Sequence, residues 1–434
     1  MKNLFALLVF VLPFIATAQD TPSTGIRFEN LPNWTAVKEK AKKENKYIFV
    51  DCFATWCGPC KAMDKNVYPV DSVGNFYTGH FISIRVQMDS GKQDNEQVQA
   101  WYADAHFLTR EYKIDAYPAF LYFNPDGQLV HKALGYQTPG NFITIARNAL
   151  DPQKQYYSLK EAFPKGQVSY TEMANLANTA RILSDQEFAN SVARTYINDY
   201  LLKLPEDELY SMPNIRFMLN FTSSSSDRAF NIFYKHANQV DSVAKDKNFS
   251  RRFVDFIIEK EEINPRLYKD GKQVTENPDW AAIQHTIQKK YNAAYADRIV
   301  LWSKIKWLEG KRDWPTYCKN VIIKVEKYGP YLKIFPDGNY PINYLWNASA
   351  WELFIHCSDT ADLKKALEWS AKSLDDPKPD PDNIDTYANI LYKLGRGAEA
   401  LPYEEKAIAM DPNDKEKVTN LAKMKKGEPT WPTK

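Results

Sequence analysis

The sequence predicts an α/β domain followed by an all-α region of stacked helical pairs, and three observations carry that expectation. Up to about residue 150, strand-length apolar runs alternate with segments of helical spacing. Beyond Asp151 the strand-like alternation disappears and helical spacing takes over, with breaks near Pro164, Pro205, Pro213, Asn264-Pro265, Pro330 and Pro336 to Pro341. Near the end, Ala366-Leu367 and Ala400-Leu401, Trp369 and Tyr403, Lys372 and Lys406, and Ser373 and Ala407 recur at a spacing of 34. A fixed period of that length marks stacked helical units. Composition agrees: 434 residues, 44% apolar and 25% charged, describe a globular chain of two or three domains at about 150 residues each. Aromatics reach 14% while only 16 Gly are present, a mix that favours aromatic-packed helices over a turn-rich all-β chain. Lys plus Arg number 56 against 54 Asp plus Glu, so no nucleic-acid partner is expected on electrostatic grounds.

In chain order, residues 1–19 read as a secretory signal peptide. Lys2 supplies a basic start, residues 4–15 an apolar stretch, and Ala16-Thr17-Ala18 the small-residue pattern before a cut after Ala18. The apolar stretch is shorter than the ~20 residues of a membrane-spanning helix; an uncleaved anchor is the alternative. The mature chain is expected to be exported, periplasmic or secreted, and soluble rather than membrane-embedded. In such an oxidising space, nearby cysteines have redox meaning.

Residues 34–44 have helical spacing, and residues 47–54 form a near-continuous apolar run that suits a strand buried on both faces. Period two puts Phe49, Asp51 and Phe53 on one face of that strand and Cys52 on the other. Further strands are predicted at residues 81–86 and 119–123. Asn124-Pro125-Asp126-Gly127 then makes a hairpin turn into residues 128–132, and residues 142–150 form a closing helix.

Five cysteines are too few for a disulfide scaffold, but two of them stand three residues apart in Trp56-Cys57-Gly58-Pro59-Cys60-Lys61. The motif follows the apolar strand and precedes a helical segment at residues 61–66. A thiol at a helix N-terminus faces unpaired N–H groups and the positive end of the helix dipole. Both lower its pKa from about 8.5 toward the ~3.5–7.5 range and make Cys57 a nucleophile. Cys60, one turn on, can attack the resulting mixed disulfide, and Gly58 and Pro59 keep the turn tight enough for the sulfurs to meet.

Over roughly residues 28–150 the sequence resembles the thioredoxin superfamily. Beside Trp56 to Lys61, Asp51 corresponds to the family's buried acid, Ile114-Asp115-Ala116-Tyr117-Pro118 to its cis-proline loop, and Gly135 to its late glycine. The resemblance implies a cis bond before Pro118, with the Tyr117 backbone free to pair with a bound peptide like an added strand. A carboxylate in the apolar run should have a raised pKa, so Asp51 could accept the proton of Cys60. Arg85 stands where the family often has a lysine, Tyr117 is bulkier than the usual residue before the proline, and residues 90–111 insert a helix. Together with the lead-in of residues 34–47 and the hairpin turn, these resemble exported thioredoxin-like domains related to the C-terminal domain of thiol:disulfide interchange proteins. At the other end, residues 384–412 resemble tetratricopeptide repeats, with Gly395 at the inter-helix turn, Ala400 and Ala407 at small positions, and Glu404 where an aromatic is usual.

The domains are thus read as signal peptide 1–18, thioredoxin-like domain 19–150, a helical domain of open type 151–345, and tetratricopeptide-like repeats 346–434. The expected function is thiol:disulfide exchange of reductase or isomerase type on protein thiols or disulfides. Cys57 and Cys60 form the redox-active pair, Asp51 moves the proton, Trp56, Tyr117 and Pro118 meet substrate, and a membrane reductase donates electrons. No organic cofactor and no metal is implied, since the dithiol carries the electrons. The alternatives are half a zinc site or a redox-inert bridge for Cys57 and Cys60, and a solvated strand end for Asp51. Cys52 is expected to be a packing residue, and Cys318 and Cys357 buried free thiols, with a disulfide between neighbouring helices as the other possibility. A second functional reading makes the helical repeats a protein-binding scaffold and the thioredoxin fold a non-enzymatic docking module.

Overall fold

The computed structural model describes residues 25–330 and 340–432, so the signal peptide falls outside the described residues, as does Pro336. Contacts divide the chain into two compact units, residues up to Tyr200 and residues from Leu201 onward.

The first unit is built on the apolar run, which forms β1 (Tyr47–Phe53). Helix α1 (Trp34–Glu44) precedes it, started by the Asn33 side chain accepting the Ala36 N–H and ended by Asn45 in the left-handed region. After β1 come α2 (Gly58–Asn66), α3 (Asp71–His80), β2 (Phe81–Gln87), α4 (Glu96–Ala100), α5 (Tyr102–Glu111), β3 (Ala119–Phe123), β4 (Leu129–Leu134) and α6 (Pro139–Leu150). The sheet order is β2-β1-β3-β4. β1 pairs parallel with β2, Asp51 opposite Arg85, and antiparallel with β3, Cys52 opposite Ala119. A central strand covered on both faces needs apolar residues at nearly every position, which is why residues 47–54 do not alternate.

Each face has its own core. Ile48, Val50 and Cys52 of β1 pack with Trp34, Val37 and Ala41 of α1 and with Trp101, Ala105 and Leu108. On the other face Phe49 meets Met63 of α2, Val73 and Tyr77 of α3, and Phe142 and Ala146 of α6. Phe49 alone has four ring neighbours within 6 Å, at Tyr77, Phe120, Tyr122 and Phe142. Burying such a side chain contributes about 1.5–3 kcal/mol. The hairpin turn forms as expected: Asn124 accepts the N–H groups of Asp126 and Gln128 through its side chain, and Gly127 takes a φ of 80°.

The compact unit runs past the compositional change at Asp151. Helix α7 (Tyr156–Ala162) lies against β4, where the Tyr156 N–H donates to Nδ1 of buried His131, and α8 (Tyr170–Ile182) and α9 (Gln186–Asp199) follow. Of these, α7 and α8 pack against β4, a strand that has only one strand neighbour.

The second unit is helical, and it includes a small two-stranded ribbon, Tyr268–Lys269 with Lys272–Gln273. Helical spacing gave no sign of it; the ribbon turns on Asp270 and Gly271, both at positive φ, the geometry that closes a two-residue hairpin. Toward the end, Ile342–His356 packs on Thr360–Ser373, and Pro381–Lys393 on Gly397–Met410, with Lys415–Lys426 following. Ala366, Ser373, Ala400 and Ala407 are all fully buried, so the small residues stand where helices approach closely. Trp369 is buried but Tyr403 is exposed, so that pair occupies different settings. Glu404 is fully buried and raised well above the usual carboxyl range by desolvation and by Asp385 beside it.

Candidate active site

The site lies at the end of β1. The chain leaves the strand at Phe53, is held by the Met88 N–H donating to the Phe53 carbonyl at 2.8 Å, and enters α2 at the cysteine motif. The helix begins at Gly58, three residues before the expected start at Lys61, because Pro59 in its first turn needs no N–H partner there. Cys57 is its N-cap, and Cys57 Sγ accepts the N–H of Cys60 at 3.1 Å. The two sulfurs form a disulfide, with Cα atoms 5.3 Å apart. Ala54, Cys57 and Cys60 make a small buried cluster flanked by Phe53 and Tyr117.

Around the pair, Trp56 is 70% exposed and its ring meets Tyr117 edge-on at 6.0 Å. The Tyr117–Pro118 peptide bond is cis. Gly135, at a φ of 78°, donates its N–H to the Pro118 carbonyl at 2.8 Å, so the late glycine anchors the proline loop. Asp89, which the sequence reading passed over, accepts both the N–H and the hydroxyl of Thr55 and so holds the approach to Trp56. An acid two residues after a strand gives little sequence signal.

Asp51 is buried within β1, not at a solvated strand end. Arg85 Nε donates to its Oδ2 at 2.9 Å, and Arg85 Nη2 reaches Asp64 Oδ1 at 3.0 Å. Asp64 stands one turn after Cys60 on α2, so the guanidinium ties the buried acid to the helix of the motif. The spacing of four from Cys60 was the available signal for Asp64. Burial pushes the Asp51 carboxyl up to about 6, opposed by Arg85 and by the Tyr68 hydroxyl. Arg85 also lies over the Phe53 ring at 4.3 Å.

Cys52 is a buried free cysteine on the opposite face of β1, its thiol pushed up by burial and by Asp51. Cys318 and Cys357 are not free thiols: they form a disulfide between Trp314–Tyr328 and the end of Ile342–His356. Helical periodicity gives each helix its buried face but not which two faces meet. Asp362 lies near that bridge, yet with both sulfurs bonded the group offers a metal only one carboxylate.

The thioredoxin-like domain family matches residues 35–150. "Thioredoxin Asp f 29" of Aspergillus fumigatus is 30% identical over 111 residues, covering 26% of this chain and 86% of that protein. "Thioredoxin-2" of Pyricularia oryzae is 30% identical over 119 residues, 27% of this chain; the match spans 58% of that protein's length. The oxidised C-terminal domain of Neisseria meningitidis DsbD is 22% identical, with 26% of this chain and 91% of that domain covered and a TM-score of 0.22. No helix among the described residues is long and apolar enough to cross a membrane.

Proposed function

The chain belongs to the thioredoxin family through residues 35–150, and we propose that it is an exported thiol:disulfide oxidoreductase of reductase or isomerase type acting on proteins. The observation that carries the reading is Cys57 at the N-cap of α2 with its sulfur accepting the Cys60 N–H. That position stabilises the Cys57 thiolate in the reduced protein.

The thiolate attacks one sulfur of a substrate disulfide. The substrate S–S bond breaks, a mixed disulfide forms at Cys57, and the first substrate thiolate leaves. Cys60 then gives its proton to the Asp51 carboxylate and attacks Cys57 Sγ. The Cys57–Cys60 bond forms, the second substrate thiolate leaves, and two electrons have passed from enzyme to substrate. Asp51 fits this role because it is ionised above about pH 6 and is tied through Arg85 to α2. Trp56 and the Tyr117–Pro118 loop border the pair and would receive the substrate chain. Returning Cys57–Cys60 to the dithiol takes an external reductant, in our reading a membrane reductase. Residues 1–19 support export, and the paired helices beyond residue 345 offer the surface that would select partners.

The test is a Cys60→Ser variant recovered from exported fractions. We expect it to carry thiol-reversible covalent adducts on Cys57, and the wild type to reduce insulin disulfides. Absence of both would overturn the enzymatic reading.

A further inference from the structure

Asp51 has two carboxylate oxygens, and the ion pair with Arg85 engages only Oδ2. Oδ1 is buried and makes no hydrogen bond, and the hydroxyl oxygen of Tyr68, also buried, makes none either. Two orphaned polar atoms in a dry interior each cost about 1–3 kcal/mol of lost hydration unless they satisfy one another. Arg85 brings the two groups together, since it donates to Asp51 and lies over the Tyr68 ring, and each biases the other: the Tyr68 hydroxyl favours the ionised form of Asp51, and Asp51 in turn holds the Tyr68 hydroxyl protonated.

Tyr68 is also held rigidly. It follows α2, and its N–H donates to the Met63 carbonyl at 3.0 Å. Its own carbonyl accepts the Ile26 N–H at 2.9 Å. That contact needs Gly25, where an added Cβ would come within 2.7 Å of the Tyr68 carbonyl oxygen. The ring packs edge-on against Phe28 at 5.3 Å and lies 5.7 Å from the Arg85 guanidinium. The segment that follows the cysteine-bearing helix therefore holds the Tyr68 ring against the guanidinium that pairs with the acid.

We infer that Tyr68 is a positioning residue for the proton transfer: its hydroxyl donates to Oδ1 of ionised Asp51 while Arg85 donates to Oδ2, and this second donor governs how readily Asp51 takes up the Cys60 proton. The inference rests on Asp51 being the proton acceptor of the proposed reaction. Groups facing the acid are Tyr68 from the segment after α2, Asp64 from α2 itself, Arg85 from β2, and, farther off, Tyr77 of α3 and Tyr122 of β3, both kept protonated in part by the Asp51 charge. When Asp51 is protonated the hydroxyl donates to a neutral carboxyl instead, a weaker bond, so losing the hydroxyl penalises the anion more than the acid.

The experiment is carbon-13 NMR of the reduced full chain labelled at aspartate carboxyls, with Asp51→Asn identifying the resonance. Tyr68→Phe keeps the ring and removes only the donor. We expect the Asp51 midpoint to rise by about one pH unit in that variant; an unmoved midpoint overturns the inference. A wild-type measurement keeps the test open if the variant does not fold: the Tyr68 Cζ resonance should step at the Asp51 midpoint, and a flat trace overturns the inference equally. Failure of the parent reading looks different. There, Asp51→Asn would leave the pH profile of insulin reduction unchanged, whatever the resonances do.

Discussion

The two cysteine pairs are equally hidden, with Cys57, Cys60, Cys318 and Cys357 all at 3% exposure or less, yet one cysteine of each caps the opposite end of a helix. Cys57 is the N-cap of α2, where the dipole is positive and the Cys60 N–H points at its sulfur. Cys357 is the C-cap of Ile342–His356, where the dipole is negative, and its partner lies inside a helix. The first setting favours a thiolate and the second disfavours it. Surroundings differ in the same sense. Around Cys57 and Cys60 there is one small cluster, beside a tryptophan open to solvent, whereas Cys318 and Cys357 sit among Leu308, Val321, Phe354 and Trp369. Exposure therefore does not separate the two disulfides here; the helix polarity at Cys57 and at Cys357 does.

The strongest test of that contrast removes the structural pair. The Cys318–Cys357 bond closes a separation of 39 residues, and cross-linking a loop of that size contributes about 4 kcal/mol in the chain-entropy model. Cys318→Ala with Cys357→Ala should cost about that much in denaturant unfolding of the helical unit and leave insulin reduction unaltered. In the wild type, mild dithiothreitol followed by alkylation and mass spectrometry should label Cys57 and Cys60 and leave the other pair closed. If both pairs open together, helix polarity is not what distinguishes them.

A smaller effect comes from the buried acid. The folded Asp51 carboxyl is raised to about 6 from an ordinary 3.8 by burial. The folded state thus holds its proton longer than the unfolded chain does, so stability is fully present below about pH 4 and falls as pH rises through 6. The loss is up to about 3 kcal/mol. Asp51→Asn should recover part of it above pH 6, less what Arg85 gives up by losing its partner. The variant should also slow release of the mixed disulfide by about a hundredfold. Thermal melts at pH 4 and pH 7, with stopped-flow resolution kinetics, check both. A variant destabilised at both pH values would show that Arg85 needs Asp51 more than burial penalises it.

Much of this was legible in residues 1–150 because the two-faced strand, the cysteine motif and the hairpin turn are each encoded locally. Asp51 could be placed on a face by period two alone. Arg85 could be noted as a departure, but its pairing across β1 and β2 depends on register, which sequence does not print. Tyr68 stands 17 residues after Asp51, and the length of α2 with the Gly25 contact places its ring beside Arg85, the acid's partner. In the helical unit, periodicity marks buried faces without matching them, so the disulfide between Cys318 and Cys357 was legible only as the alternative to two free thiols.

The smallest expected effect concerns Cys52, the fifth cysteine, one residue from Asp51 in sequence but on the other face of β1. Its neighbours are Ile48, Val50, Ala119 and Leu121, and no helix N-terminus caps it. Burial comes first and the Asp51 charge second in pushing its thiol upward, so at neutral pH it stays protonated and inert. Cys52→Ala removes one buried heavy atom and should cost about 1 kcal/mol with no change in insulin reduction. In the native reduced protein, iodoacetamide should modify Cys57 well before Cys52, and Cys52 only as the unit unfolds. Labelling of Cys52 at a rate near that of Cys57 would mean that β1 opens in the folded protein, and the contrast between its two faces would then fail.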